Sequence, residues 1–288
     1  MDIMERLHEE NLRFLLLFDS ICKKHGIRYF LAAGTLLGAI RHQGFIPWDN
    51  DIDVIMERKD FEAFVPILLE EIDRESYELI LPDSFGEKYK DMVPNLVYKK
   101  VRIKLDPGFD EFYEHKLSYL PLDFFLFDRV RDGLPAKILT WRLEFLYGLL
   151  NAHRYTIDYA NYPGLLKPAA ALLKAVGSLF SADFLRHRVE KVASKYDNDP
   201  KAQHLFVTND LMSSFTYHFP VGWYQEGRTA LFEGHEFPVP MEAEKALTLH
   251  FGDFMSLPPE EDRVPHLSML GTMGDDRLTE DKFIFSED

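Results

Sequence analysis

The segment Pro47-Trp48-Asp49-Asn50-Asp51-Ile52-Asp53-Val54-Ile55 sets aspartates at alternate positions and runs them into branched apolar residues. Side chains alternate between the two faces of a strand. A strand here therefore aims Asp51 and Asp53 at one face, about 7 Å apart, with Asp49 next along the same row. Ile52, Val54 and Ile55 are apolar enough to bury that strand, and carboxylates pointed at one spot repel each other unless a cation lies between them. Oxygen-only ligands suit Mg²⁺ or Mn²⁺ better than zinc.

The flanking periodicities place this strand in an α/β setting. Leu7, Phe14, Leu15, Phe18, Ile21 and Cys22 follow helical spacing, and Lys23-Lys24-His25 before Gly26 is a helix C-terminus. Ile27 to Ala32 reads as a short strand, Gly34-Thr35 as a turn, Leu36 to Arg41 as a short helix and Lys59 to Ile72 as a longer one. Asn95 to Leu105 and Leu120 to Phe127 are further strand candidates. From Pro135 to about Tyr196 the pattern is mostly helical, interrupted at Tyr162-Pro163-Gly164. The last hundred residues mix short strands with a helix near Glu242 to Phe251, and Gly271 to Asp288 is an acidic tail, part of it expected to be disordered. The fold class is thus α/β (α+β), a mixed-sheet core with flanking helices. It occupies one domain over 1–270, with a helical elaboration at about 135–200.

Composition narrows the function classes. A hydrophobic fraction of 46% in 288 residues supports a full core. The 33 Lys and Arg against 48 Asp and Glu give a net charge of −15, which disfavours a broad nucleic-acid footprint but permits a local basic pocket. The single cysteine, Cys22, cannot close an intramolecular disulfide or build a Cys-rich zinc site. The acidic start Met1 to Glu10 does not read as an export signal, and Leu165 to Phe180 is broken by Lys167-Pro168, Lys174 and Gly177. A cytoplasmic location is the expectation.

Chemistry concentrates in three places. Gly34-Thr35-Leu-Leu-Gly38 marks a strand running into a helix start, where free N–H groups and the helix dipole favour a phosphate. Asp51 and Asp53 follow on their strand. Asp123 is the one charge in Leu120-Pro-Leu-Asp-Phe-Phe-Leu-Phe127, so it is either hydrogen-bonded structurally or faces the metal cleft as ligand or base. Asp128 reads as a turn or capping acid.

Three segments closely resemble the LicD family of phosphocholine transferases, which includes the fukutin relatives: Gly34-Thr-Leu-Leu-Gly-Ala-Ile-Arg-His42, Gly44-Phe-Ile-Pro-Trp-Asp-Asn-Asp-Ile-Asp-Val54 and Arg58-Lys-Asp-Phe61. The resemblance continues in Leu122-Asp-Phe-Phe-Leu-Phe-Asp128, Phe237-Pro-Val-Pro240, His250-Phe-Gly-Asp-Phe-Met255, Leu257-Pro-Pro259 and Arg263-Val-Pro-His266. It implies a nucleotidyltransferase-like fold, with Gly34 and Thr35 as the phosphate turn, Asp51 and Asp53 as metal ligands and Asp123 as the third carboxylate. The implied reaction moves a phospho-alcohol, foremost phosphocholine, from a CDP-linked donor such as CDP-choline onto a sugar hydroxyl of a cell-surface glycan such as teichoic acid or lipopolysaccharide. Asn50 stands where the family usually has an aspartate, on the face opposite the ligands, and Phe251 and Phe254 replace tyrosines.

Phosphoryl-type transfer needs charge neutralisation and in-line positioning. Arg41 and Arg102 are candidates for the donor's charge, and Trp48, Tyr98 or Trp223 could stack on a base or cage a quaternary ammonium. His42, His235 and His266 could approach the site. A glycan acceptor that is lipid-linked would bring the protein to the inner membrane face, with Pro168 to Phe180 as the contact. The competing readings are a metal-dependent glycosyltransferase that uses a nucleotide sugar and a catalytically inactive glycan-binding protein.

Overall fold

Helix α1 (Ile3–His25) buries Leu7, Phe14, Leu15, Phe18, Ile21 and Cys22 along one face and stops ahead of Gly26, whose φ is +65°. A basic last turn followed by a left-handed glycine satisfies the helix's carbonyl end. The computed structural model describes residues 3–156, 164, 166–210, 212–263 and 282–285. After α1 come β1 (Phe30–Leu31), α2 (Ala33–Arg41), β2 (Ile52–Glu57), α3 (Arg58–Glu71), β3 (Tyr77–Ile80), β4 (Asn95–Ile103), α4 (Pro107–Phe112) and β5 (Tyr119–Val130). Then follow α5 (Leu134–Leu150), α6 (Lys167–Gly177), α7 (Ala182–Ala193), β6 (His204–Val207), β7 (Phe219–Pro220), α8 (Gly222–Gln225), β8 (Gly227–Phe232), β9 (His235–Pro240), α9 (Ala243–Phe251) and β10 (Phe283–Phe285).

Strand β5 is the spine of a mixed eight-stranded sheet ordered β1-β2-β5-β4-β10, with β3 on β4 and the β6-β7 pair on β5. Its parallel pairing with β2 sets Asp53 opposite Asp123, and its antiparallel pairing with β4 sets Asn95 on the other side of Asp123. One rung of the sheet therefore carries Asn95, Asp123 and Asp53 side by side. Helices α1 and α3 cover one face: Phe18 meets Phe64 and Phe124 edge-on at centroid distances of 5.7 and 5.6 Å. Such aromatic pairs contribute roughly 0.5–1.5 kcal/mol each beyond area burial and fix the face on which β2 and β5 lie.

The helical elaboration is an insertion between β5 and β6, in which α5 and α7 bury Leu139, Leu143, Leu185 and Val189 with Phe206 and Phe215. Strands β8 and β9 form a separate hairpin whose turn, Glu233-Gly234, has positive φ at both residues. Glu233 ties this hairpin to the loop after α2: its N–H donates to Gln43 O and its carboxylate accepts from Phe45 N–H, both at 3.0 Å.

One expectation changes. The strand read at Ile27 to Ala32 shrinks to Phe30–Leu31, paired with Ile55 and Val54 and at the edge of the sheet among the described residues. Within the acidic tail, Phe283–Phe285 pairs antiparallel with Val101–Ile103 and buries Phe283. Its Phe-Ile-Phe alternation is a strand signal within acidic flanks. The break at Tyr162-Pro163 and residues 264–281 lie outside the described residues.

Candidate active site

The site begins where β1 hands over to α2. Ala32 donates its N–H to Asp53 O at 3.0 Å, joining the start of α2 to β2. Ala32 lends α2 no side-chain cap, so the first N–H groups of the helix have no intrahelical acceptor. Ala33 holds a φ of +39°, a strained conformation for a residue with a Cβ, and it turns the chain sharply into the helix. A Cβ on Gly34 would come within 2.5 Å of Asp49 Oδ2, so glycine lets the Asp49 carboxylate lie against this helix start. At Gly38 a Cβ would come within 2.5 Å of Gly44 O, so that glycine lets the loop ahead of Asp49 fold back on α2.

A cleft of about 450 Å³ opens beside this junction. Among the predicted residues, Gly34, Trp48, Asp51, Asp53 and Asp123 line it, and Asp49 joins them. Asn50, expected on the opposite face, is buried and also borders the cleft, with its carbonyl accepting from Asn11 Nδ2 at 2.9 Å.

Three donor-binding candidates are placed elsewhere. Thr35 is buried, and its Oγ1 accepts the Asp53 N–H at 2.9 Å, so it pins β2 rather than facing a ligand. Arg41 donates to Phe254 O at 2.8 Å and to His42 Nε2 at 2.9 Å, strapping the segment after α9 to α2. Arg102 faces Asp110 at 3.6 Å. None of the three lines the cleft. Of the aromatic candidates, Tyr98 stacks on Tyr77 at 5.0 Å and Trp223 packs on a satellite core cluster, which leaves Trp48. His42 is held by Arg41, His235 is exposed on β9, and His266 lies outside the described residues.

The cleft also holds residues that sequence reasoning missed: Lys90, Asp91, Asn95, Asp210 and His250. Lys90 Nζ donates to Asn95 Oδ1 at 2.9 Å, and Asn95 Nδ2 donates to Asp123 Oδ1. This relay orients the Asp123 carboxyl from the side of β4. Lys90 is the one lysine or arginine among the described residues lining the cleft, against six aspartates: Asp49, Asp51, Asp53, Asp91, Asp123 and Asp210.

The acids perturb one another. Burial, then the charges of Asp51, Asp123, Asp49 and Asp210, push the Asp53 carboxyl well above the usual range. Burial and the neighbouring Asp51 push Asp49 up to about 9. Asp123 is pushed up to about 7, mainly by burial, with Lys90 and the Asn95 bond acting against the rise. Two unit charges about 5 Å apart in an effective dielectric of about 20 repel by roughly 3 kcal/mol, so a crowd of ionised acids needs a cation or protons.

Among the described residues no three acid, histidine or cysteine groups close into a ready-made metal cage. The donor set still fits Mg²⁺ or Mn²⁺, because magnesium is commonly held by one or two carboxylates and completed by substrate phosphates and water. Off the cleft lies a smaller chamber of about 60 Å³ that shares Ala33, Phe125, Asp210, His250 and Phe251 with it. Tyr217 and His250 meet there at 4.9 Å, and His250 stacks on Phe251 at 4.3 Å.

A mixed sheet with aspartates on adjacent strands beside a glycine-led helix start defines a nucleotidyltransferase-like domain. Residues 26–98 match the LicD/FKTN/FKRP nucleotidyltransferase domain family. The chain is 28% identical over 262 residues to the lipopolysaccharide cholinephosphotransferase LicD of Haemophilus influenzae, a match covering 88% of this chain and 92% of that protein. It is also 41% identical over 49 residues to the ribitol 5-phosphate transferase FKRP of Homo sapiens, 17% of this chain and 9% of that protein.

Proposed function

We propose that this chain is a LicD-family transferase that moves a phospho-alcohol, phosphocholine foremost, from a CDP-linked donor to a sugar hydroxyl of a glycan. The observation that carries the proposal is the rung Asn95-Asp123-Asp53, with Asp51 ahead of it, lining a cleft at the start of α2. Asp51 and Asp53 would hold Mg²⁺ or Mn²⁺, which when bound neutralises the donor's diphosphate and polarises the phosphorus under attack. The first N–H groups of α2, which have no side-chain cap, suit a phosphate oxygen. Lys90, rather than Arg41 or Arg102, supplies positive charge from the protein itself.

Asp123 takes the proton of the acceptor hydroxyl. As that oxygen forms its bond to the phosphorus of the phospho-alcohol, the bond from phosphorus to cytidine monophosphate breaks, and the nucleotide leaves with the electron pair. Asn95 holds Asp123 in place, and Lys90 holds Asn95. A carboxyl pushed up to about 7 is matched to proton uptake near neutral pH.

Phosphocholine is favoured among phospho-alcohols by the side chamber. Tyr217, His250 and Phe251 offer ring faces to a trimethylammonium group, and Asp210 offers a counter-charge. The lipopolysaccharide cholinephosphotransferase relative supports the same choice. Mass spectrometry of turnover with a panel of CDP-choline, CDP-glycerol, CDP-ribitol and nucleotide sugars tests the proposal. Transfer of a phosphocholine mass increment to a glycan acceptor is expected, and transfer of a glycosyl increment from a nucleotide sugar would overturn it.

A further inference from the structure

Helix α5 is apolar on two opposite faces. Ala136, Leu139, Leu143, Tyr147 and Leu150 form the buried stripe that packs on the insertion's core. Leu134, Ile138, Trp141 and Phe145, spaced by four, three and four residues, form a second stripe that faces outward, with Leu134 68% and Trp141 64% exposed. Trp141 and Phe145 stack at 6.0 Å along it.

Helix α6 packs on the C-terminal end of α5, where a Cβ on Gly148 would strike Leu173 and a Cβ on Gly177 would strike Leu149 O. It adds exposed Leu172, and Leu179 just beyond its end is 78% exposed. Water-facing helix surfaces are normally polar, and an outward apolar stripe of this size on a folded chain marks a contact surface.

The charge around the stripe identifies what it contacts. Residues 134–180 hold five Lys and Arg (Lys137, Arg142, Arg154, Lys167 and Lys174) and two acids (Glu144 and Asp158), in a chain whose net charge is −15. Lys137, Arg142, Lys167 and Lys174 form no ion pair among the described residues. Protein-binding patches are depleted in lysine, whereas Trp, Phe and Leu flanked by Lys and Arg describe a helix lying in a lipid interface. Among the described residues no single helix is long and apolar enough to cross a membrane, and the pair that reaches that length together, α6 with Ala182–Tyr196, is bent by 110°. Its second half buries Leu185 and Val189 in the insertion's core, so the face left for a bilayer is the outward one.

We propose that the outward faces of α5 and α6 form a docking surface for a bilayer rich in anionic phospholipid. The apolar stripe enters the headgroup boundary, and the four lysines and arginines beside it reach lipid phosphates by extending along their stems. The surface is separate from the aspartate cleft, so the inference does not depend on the reaction proposed above.

Flotation of the full chain with vesicles tests it directly, using phosphatidylglycerol mixed with phosphatidylcholine against phosphatidylcholine alone. The chain is expected to float with the anionic vesicles, and less so as salt rises. The double variant Ile138→Glu/Trp141→Glu should lower the bound fraction at least about tenfold. Both positions are exposed, so the variant should keep the wild-type circular dichroism spectrum and its affinity for CDP-choline. Absence of flotation, equal flotation of wild type and variant, or a dimer that the variant dissociates without any vesicle binding would each overturn the proposal.

Discussion

Strand β5 carries two aspartates five positions apart, and the protein treats them in opposite ways. Asp128 is buried and clasped by Arg58, which donates to its two carboxylate oxygens at 2.7 Å each. The same guanidinium donates to Thr208 Oγ1 at 2.9 Å, and Thr208 in turn donates to Asp128. The Asp128 charge there has its partner. Asp123 instead faces the cleft among aspartates, with an amide donor from Asn95 and Lys90 one step further back. An acid that its own fold neutralises is scaffold. Acids that the fold gathers and leaves in excess are a binding site for something positive.

The widest separation between the two ends should come from Asp53→Asn. Turnover should fall at least about 10⁴-fold, since metal charge stabilisation is worth several kcal/mol. The melting temperature should hold or rise, because one of several mutually repelling buried acids has gone. A steady-state assay beside a thermal melt reads both, and a large drop in melting temperature with activity retained would make Asp53 a scaffold acid like Asp128.

Asp123→Asn should lower turnover by about 10²- to 10⁴-fold, the worth of positioned proton transfer, while calorimetric donor affinity in Mg²⁺ stays near the wild-type value. Parallel loss of turnover and donor affinity would make Asp123 a metal ligand in place of the base. Asp128→Asn inverts the pattern. It leaves Arg58 buried beside a neutral partner, so denaturant unfolding should show a loss of about 3–5 kcal/mol while turnover per folded molecule stays near normal.

The smallest effect lies at the edge of the balanced end, where Asp197 is hydrogen-bonded to Asp128. Its carboxyl is pushed up to about 7 by burial first and by Asp128 next. The folded state therefore holds a proton that the unfolded state has released above about pH 4, and the associated stability falls as pH rises from there through 7. Asp197→Asn should raise the melting temperature relative to wild type more at pH 8 than at pH 5. An equal difference at the two pH values would mean that Asp197 does not titrate in this window.

How much of this was legible in the sequence follows from the kind of signal each residue leaves. Period-two alternation within apolar flanks exposes Asp51 and Asp53, and a lone charge in an apolar run exposes Asp123. Lys90, Asp210 and His250 sit between elements or on a short helix and enter the cleft through tertiary packing, which no local pattern encodes. The same blindness misplaces partners. Asp128 looks like a turn acid because nothing local shows that Arg58, seventy positions away, will meet it. Arg41 and Arg102 look free for a ligand until the fold brings up Phe254 O and Asp110. Thr35 looks like a phosphate contact because its hydroxyl's acceptor role toward the Asp53 N–H depends on β2 arriving beside α2.

The central claim is that the cleft's surplus of acid is a seat for a divalent cation and, through it, for the donor's diphosphate. Titration calorimetry of the wild-type protein with CDP-choline, in Mg²⁺ or Mn²⁺ and then in chelator, tests it most directly. Six aspartates facing one lysine should repel the donor once the metal is removed. The account predicts measurable binding with metal and a loss of at least about tenfold without it, following the repulsion estimated above. Equal affinity with and without metal would contradict it.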